Sequence, residues 1–133
     1  MANSLIDFLI ENPVDGIEEK VVVSERLRKF PFTIKPMTGT QFSDYQKRST
    51  HMKKGKKVEF DSKKFNELII VNQVVDPNLK DAEMLKKAGC TTPEQFIYKT
   101  LLSGEIAELV ERISELSGFD TDFEEQVEEV KNS

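Results

Sequence analysis

The chain has 133 residues, 38% hydrophobic and 32% charged, which is enough apolar material for one modest core and too much charge for a membrane-embedded protein. A single cysteine, Cys90, excludes an internal disulfide framework and fits a reducing compartment, and no apolar run approaches the ~20 residues that span a bilayer. The net charge of −5 is unevenly spread: residues 25–64 carry twelve basic against four acidic side chains, and residues 104–133 carry ten acidic against two basic. Opposite blocks of this kind attract each other within a chain or between copies, so self-association through the basic middle and the acidic end is one expectation. The N-terminus lacks a basic leader, and Asp7 interrupts its short apolar patch, so a cytoplasmic protein without a secretory signal is expected.

A short helix opens the chain. Asn3 or Ser4 can cap it, Leu5, Phe8 and Leu9 share one face, and Asn12-Pro13 and Asp15-Gly16 break it. Strand material follows at Glu19-Lys20-Val21-Val22-Val23 and Phe32-Thr33-Ile34-Lys35, joined by a polar connection and best read as an antiparallel pair. A lone pair of strands is marginal in water, so it must pack on helices.

A second helix begins near Thr38, which has capping-box spacing to Gln41. Phe42, Tyr45, Ser49 and Met52 recur on its inner side, and the run Lys53-Lys54-Gly55-Lys56-Lys57 reads as a flexible loop of like charges. Asp61 can cap a third helix whose inner face takes Phe65, Leu68, Ile69, Asn72 and Val75, with Asp76-Pro77-Asn78 as its stop. Asp81 can cap a short fourth helix that ends at Gly89. Thr92-Pro93-Glu94-Gln95 is the strongest start signal, with a capping Thr, Pro at the first helical position and Gln three residues after the cap. Ser103 or Gly104 starts the clearest helix. Ile106, Leu109, Val110, Ile113 and Leu116 form its apolar stripe, and Glu105, Glu108, Glu111, Arg112 and Glu115 its polar face. Gly118 closes it, with Phe119 as the apolar contact beyond the cap. The expected class is α+β, mainly α: a helical domain of about five to six helices over residues 1–119, with a small antiparallel β-hairpin near the N-terminus. Residues 120–133 form an acidic C-terminal tail, weakly helical or disordered, in which Phe123, Val127 and Val130 keep helical spacing.

Chemistry-bearing patterns are sparse. His51 is the only histidine and has no nucleophile or orienting partner in any motif, so it reads as a solvent-facing side chain at a helix end. Cys90 could be a thiol nucleophile at a helix N-terminus, but a small buried hydrophobe is the simpler reading. One Cys and one His give the wrong ligand count for zinc, the Asp76–Asp81 segment lacks the glycine and terminal Glu of a calcium loop, and the six glycines are scattered singly. No catalytic, metal or cofactor residues are assigned. The Lys53–Lys57 run could touch nucleic acid, but a pI near 5.0 weighs against a phosphate-binding surface.

Several segments taken together resemble a known family. They are residues 1–9, Phe32-Thr33-Ile34-Lys35-Pro36-Met37-Thr38, the helix with Phe42 and Tyr45, Val75-Asp76-Pro77-Asn78-Leu79-Lys80, Lys87-Ala88-Gly89-Cys90-Thr91-Thr92-Pro93-Glu94, Leu101-Leu102-Ser103-Gly104-Glu105-Ile106, and Ile113-Ser114-Glu115-Leu116-Ser117-Gly118-Phe119. In this order the chain resembles the XkdN-like tail assembly chaperones of long-tailed phages and prophages of Gram-positive bacteria. The resemblance implies a non-catalytic protein of the host cytoplasm, absent from the mature virion. It would bind the phage tape measure protein and keep it soluble during tail assembly. Because the stripe of the last helix is needed for the core, the expected contact residues are Leu5, Phe8 and Leu9 in the first helix and Phe123, Val127 and Val130 in the tail. A structural tail component and a small nucleic-acid-binding regulator are the competing readings.

Overall fold

The twelve-residue helix Ser62–Gln73 lies at the centre of the fold, and it buries Leu68, Ile69, Ile70, Val71 and Gln73. The structure is a computed structural model and describes residues 4–119. In chain order the elements are α1 Ser4–Glu11, β1 Glu19–Val21, β2 Phe32–Ile34, α2 Gly39–Arg48, β3 Thr50–Lys53, β4 Lys57–Phe60, α3 Ser62–Gln73, β5 Val74–Asp76, α4 Ala82–Lys87, α5 Pro93–Thr100 and α6 Ser103–Leu116. The class is α+β and mainly α, as the periodicity predicts.

Local capping chemistry sets most of the helix starts. Thr38 Oγ1 accepts from the Gln41 amide at 3.1 Å while Gln41 Oε1 accepts from the Thr38 amide at 3.0 Å, the reciprocal box that satisfies two otherwise unpaired donors. Asp61 accepts from the Lys64 amide, Asp81 from the Glu83 and Met84 amides, and Thr92 from the Gln95 amide. At the end of α6, the Gly118 amide donates to the Glu115 carbonyl and the Phe119 amide to the Ser114 carbonyl. Gly118 stands at φ 97°, a backbone angle that glycine adopts without steric cost.

β1 and β2 pair antiparallel, Glu19 opposite Ile34 and Val21 opposite Phe32. A third strand, β5, joins on the other edge of β2, giving the order β1-β2-β5. Here the structure departs from the sequence reading. α3 ends at Gln73, so Val75 lies on β5 and is exposed instead of lining the helix. The switch from helix to strand leaves the apolar run unbroken, because Val74 still reaches the core from its strand position. One core cluster gathers Val21, Phe32, Ile34 and Val74 from the sheet, the buried side of α3, Ile97 from α5, and Leu109 and Ile113 from α6. Burying each such aliphatic side chain contributes about 1.5–3 kcal/mol before entropy is charged against it.

The second departure is the lysine run. α2 stops at Arg48, and residues 50–60 form an antiparallel hairpin, β3 with β4, instead of a helix end and a loop. Its turn puts Gly55 at φ 85° and Lys56 at φ 63°, so the chain reverses over residues 54–56. Met52 therefore leaves the helix face assigned to it and is 74% exposed on β3.

Gln73 is fully buried and joins two distant segments. The Tyr45 hydroxyl donates to Gln73 Oε1 at 2.6 Å, and Gln73 Nε2 donates to the Pro36 carbonyl at 2.8 Å. Tyr45→Phe keeps the ring and removes the donor. It is expected to cost about 1–3 kcal/mol in urea denaturation, the penalty of leaving a buried acceptor unpaired.

Candidate docking surface

Among the described residues, α1 is the one α-helix that buries no side chain. Every residue from 4 to 18 is exposed. Leu5 (69%), Phe8 (60%) and Leu9 (62%) share a face by their three-and-four spacing, and Ile6 and Ile10 flank them. The helix forms locally, and the Asn12 amide and side chain both donate to the Phe8 carbonyl at 2.9 Å before Pro13 stops it. Leu5, Phe8 and Leu9 are thus brought together on one open face. Phe123, Val127 and Val130, like the Asn3 cap and the acidic tail as a whole, lie outside the described residues.

The apolar stripe of α6 is occupied by cohesion. Leu109 and Ile113 are fully buried, and Ile106, Val110 and Leu116 pack against the same cluster.

Glu105 corrects the reading of the polar face. It is buried, and its carboxylate is saturated: Oε2 accepts from Ser24 Oγ at 2.5 Å and Arg26 Nε at 3.1 Å, and Oε1 accepts from Arg26 Nη2 at 2.6 Å and the Leu102 amide at 2.7 Å. The Arg26 guanidinium is the main cause that holds Glu105 down at about 2 against the ordinary 4.5. Burial pushes the other way, and the Ser24 and Leu102 donors add to the lowering. With its acceptor sites filled, this carboxylate clamps the β1–β2 connection to the start of α6. The folded value lies below the unfolded one, so the stabilisation is complete above about pH 4.5 and fades as pH falls toward about 2. Glu105→Gln is expected to lower stability near neutrality and to flatten the loss of stability across that acid window, read from urea midpoints at stepped pH.

The remaining candidates do not converge. His51 sits on β3, not at a helix end, with Nε2 4.0 Å from Asp61 Oδ2; both are part of the open surface, and the other Asp61 oxygen caps α3. Cys90 is buried, and its Sγ lies 3.7 Å from the Ala88 carbonyl. Among the described residues no group of three or more His, Cys, Asp or Glu could hold a metal ion, and no helix is long and apolar enough to cross a membrane.

The molecule is thus an α+β, helix-rich chain whose core is closed by α3, α6 and a three-stranded sheet, and whose N-terminal helix presents apolar side chains to solvent. The profile of the phage XkdN-like tail assembly chaperone proteins matches residues 5–131, and the chain belongs to that family. It is 28% identical to the phage-like element PBSX protein XkdN of Bacillus subtilis strain 168 and 31% identical to YqbN of the same organism. Each match covers 94% of this chain and 91% of the relative. The crystal structure of YqbN superposes with a TM-score of 0.64 at 26% identity, over 78% of this chain and 87% of that one.

Proposed function

We propose that this tail assembly chaperone binds the phage tape measure protein through α1 and keeps it soluble until the tail forms around it, without catalysing a reaction. The observation that carries this reading is the complete exposure of α1 with its five large apolar side chains. Eight residues are too few to sustain a helix in water by propensity alone, and most helical stability comes from packing an apolar face. A client helix laid against Leu5, Phe8 and Leu9 supplies that packing and removes its own apolar face from water. The α6 stripe cannot serve the same purpose, because it closes the core. On this reading the protein acts in the cytoplasm of the bacterial host and is left out of the finished particle.

Co-expression with the tape measure protein tests the reading. The expected result is a client that moves from the pellet to the soluble fraction and co-purifies with the chain. A client equally insoluble with and without it would contradict the reading, as would stoichiometric recovery of the chain from purified particles.

A further inference from the structure

The β3–β4 hairpin is an exposed arm with two unlike faces. Side chains opposite each other across an antiparallel pair share a face, and successive residues alternate. The pairing therefore puts Met52, Val58 and Phe60 on one side, and His51, Lys53, Lys57 and Glu59 on the other. The apolar side is open: Met52 is 74% exposed, Val58 65% and Phe60 51%. A two-stranded ribbon of this length is marginal in water without something on its apolar face.

The base of that face is tied to the end of the described chain by an aromatic row. The Phe60 ring lies 5.3 Å from Phe65, Phe65 lies 5.7 Å from Phe42, and Phe42 lies 5.0 Å from Phe119. Phe119 is the last described residue, so the segment 120–133 is joined to the fold at the row that leads to the arm. Each ring-to-ring step equals about two residues of extended chain, well within the reach of this segment.

Charge is complementary along the same path. Lys53, Lys54, Lys56 and Lys57 crowd the tip of the arm, and among the described residues only Lys53 of these four has a carboxylate partner, Glu59 at 2.9 Å. The segment 120–133 brings six carboxylates and one lysine, with Phe123, Val127 and Val130 spaced among them.

We propose that the apolar face of the β3–β4 arm is a docking surface whose occupant is the chain's own acidic C-terminal segment, with Phe123 and Val127 on Met52, Val58 and Phe60 and the carboxylates along the lysines. The docking is a property of the free chain and does not rest on the client reading; its test contains no tape measure protein. It also gives the tail side chains an internal contact and leaves α1 as the open apolar surface.

The test places a nitroxide on Ser133→Cys in the full chain, with Cys90→Ala removing the native thiol, and reads the broadening of backbone amide signals. The expected result is several-fold stronger broadening over residues 50–60 than over α4 and α5, reduced by molar salt, which screens exposed charges. Adding Phe123→Ser and Val127→Ser should return the arm to background. Broadening spread evenly over the chain would overturn the proposal. So would broadening of the arm that survives the tail substitutions. Broadening that appears only between nitroxide-bearing and isotope-labelled copies would replace the internal contact with one between molecules.

Discussion

A chain carrying Leu5→Glu, Phe8→Glu and Leu9→Glu is expected to fold like the parent and to leave the tape measure protein in the pellet. None of the three side chains is buried, and α1 contributes nothing to the core. Surface substitutions of this kind usually change stability by less than about 0.5 kcal/mol. The loss of binding should be far larger. An apolar anchor at the centre of an interface is worth about 2 kcal/mol or more, or roughly 30-fold in affinity. Losing three anchors and desolvating three carboxylates in their place would push a micromolar complex out of any cellular range. Two readouts separate the effects: an unchanged urea midpoint reports the fold, and the soluble fraction of the co-expressed client reports the function.

Leu109→Ala is expected to do the reverse. Leu109 is fully buried on α6, and the same cluster draws on α3, α5 and the sheet. Truncating a buried Leu removes its transfer energy and leaves a cavity that neighbours fill only in part, at a cost of about 2–5 kcal/mol. In a chain of this size that is a large share of total stability. The midpoint of urea denaturation should fall accordingly, with the slope unchanged if the denatured state is unaffected. Tape measure binding, measured at a temperature where the variant remains folded, should be preserved.

What the sequence made legible was mainly local. Thr38 with Gln41, and the caps at Asp61, Asp81 and Thr92, each involve groups within four residues of each other, and the structure realises all of them. The stripe of α6 and the β1–β2 pair were readable because their periods are regular. The elements that escaped depend on distant partners. β5 is a strand because β2 lies beside it, so nothing in Val74-Val75-Asp76 alone distinguishes it from the end of α3. Glu105 resembles its solvent-facing neighbours in every local respect, yet it is buried because Arg26 arrives from 79 positions earlier. The lysine run concealed a hairpin. The alternation Val58-Glu59-Phe60 and the mirrored Met52 before a glycine-centred turn were the available signs, and like charge around Gly55 outweighed them. Of the proposed contact residues, Leu5, Phe8 and Leu9 stand together and open on α1, while Phe123, Val127 and Val130 lie outside the described residues.

The family assignment and the exposed helix make separate contributions. Membership defines a tail assembly chaperone, and the placement of apolar side chains shows which of them stay open to solvent on α1. The division is between side chains that close the molecule, on α3, α6 and the sheet, and side chains on α1 that have nothing to close.

Hydrogen exchange on the chain, alone and in complex with its tape measure protein, tests that division most directly. Slowed exchange concentrated in residues 4–12, with α6 unchanged, is the predicted footprint. Protection that falls on the core helices and spares α1 would contradict it.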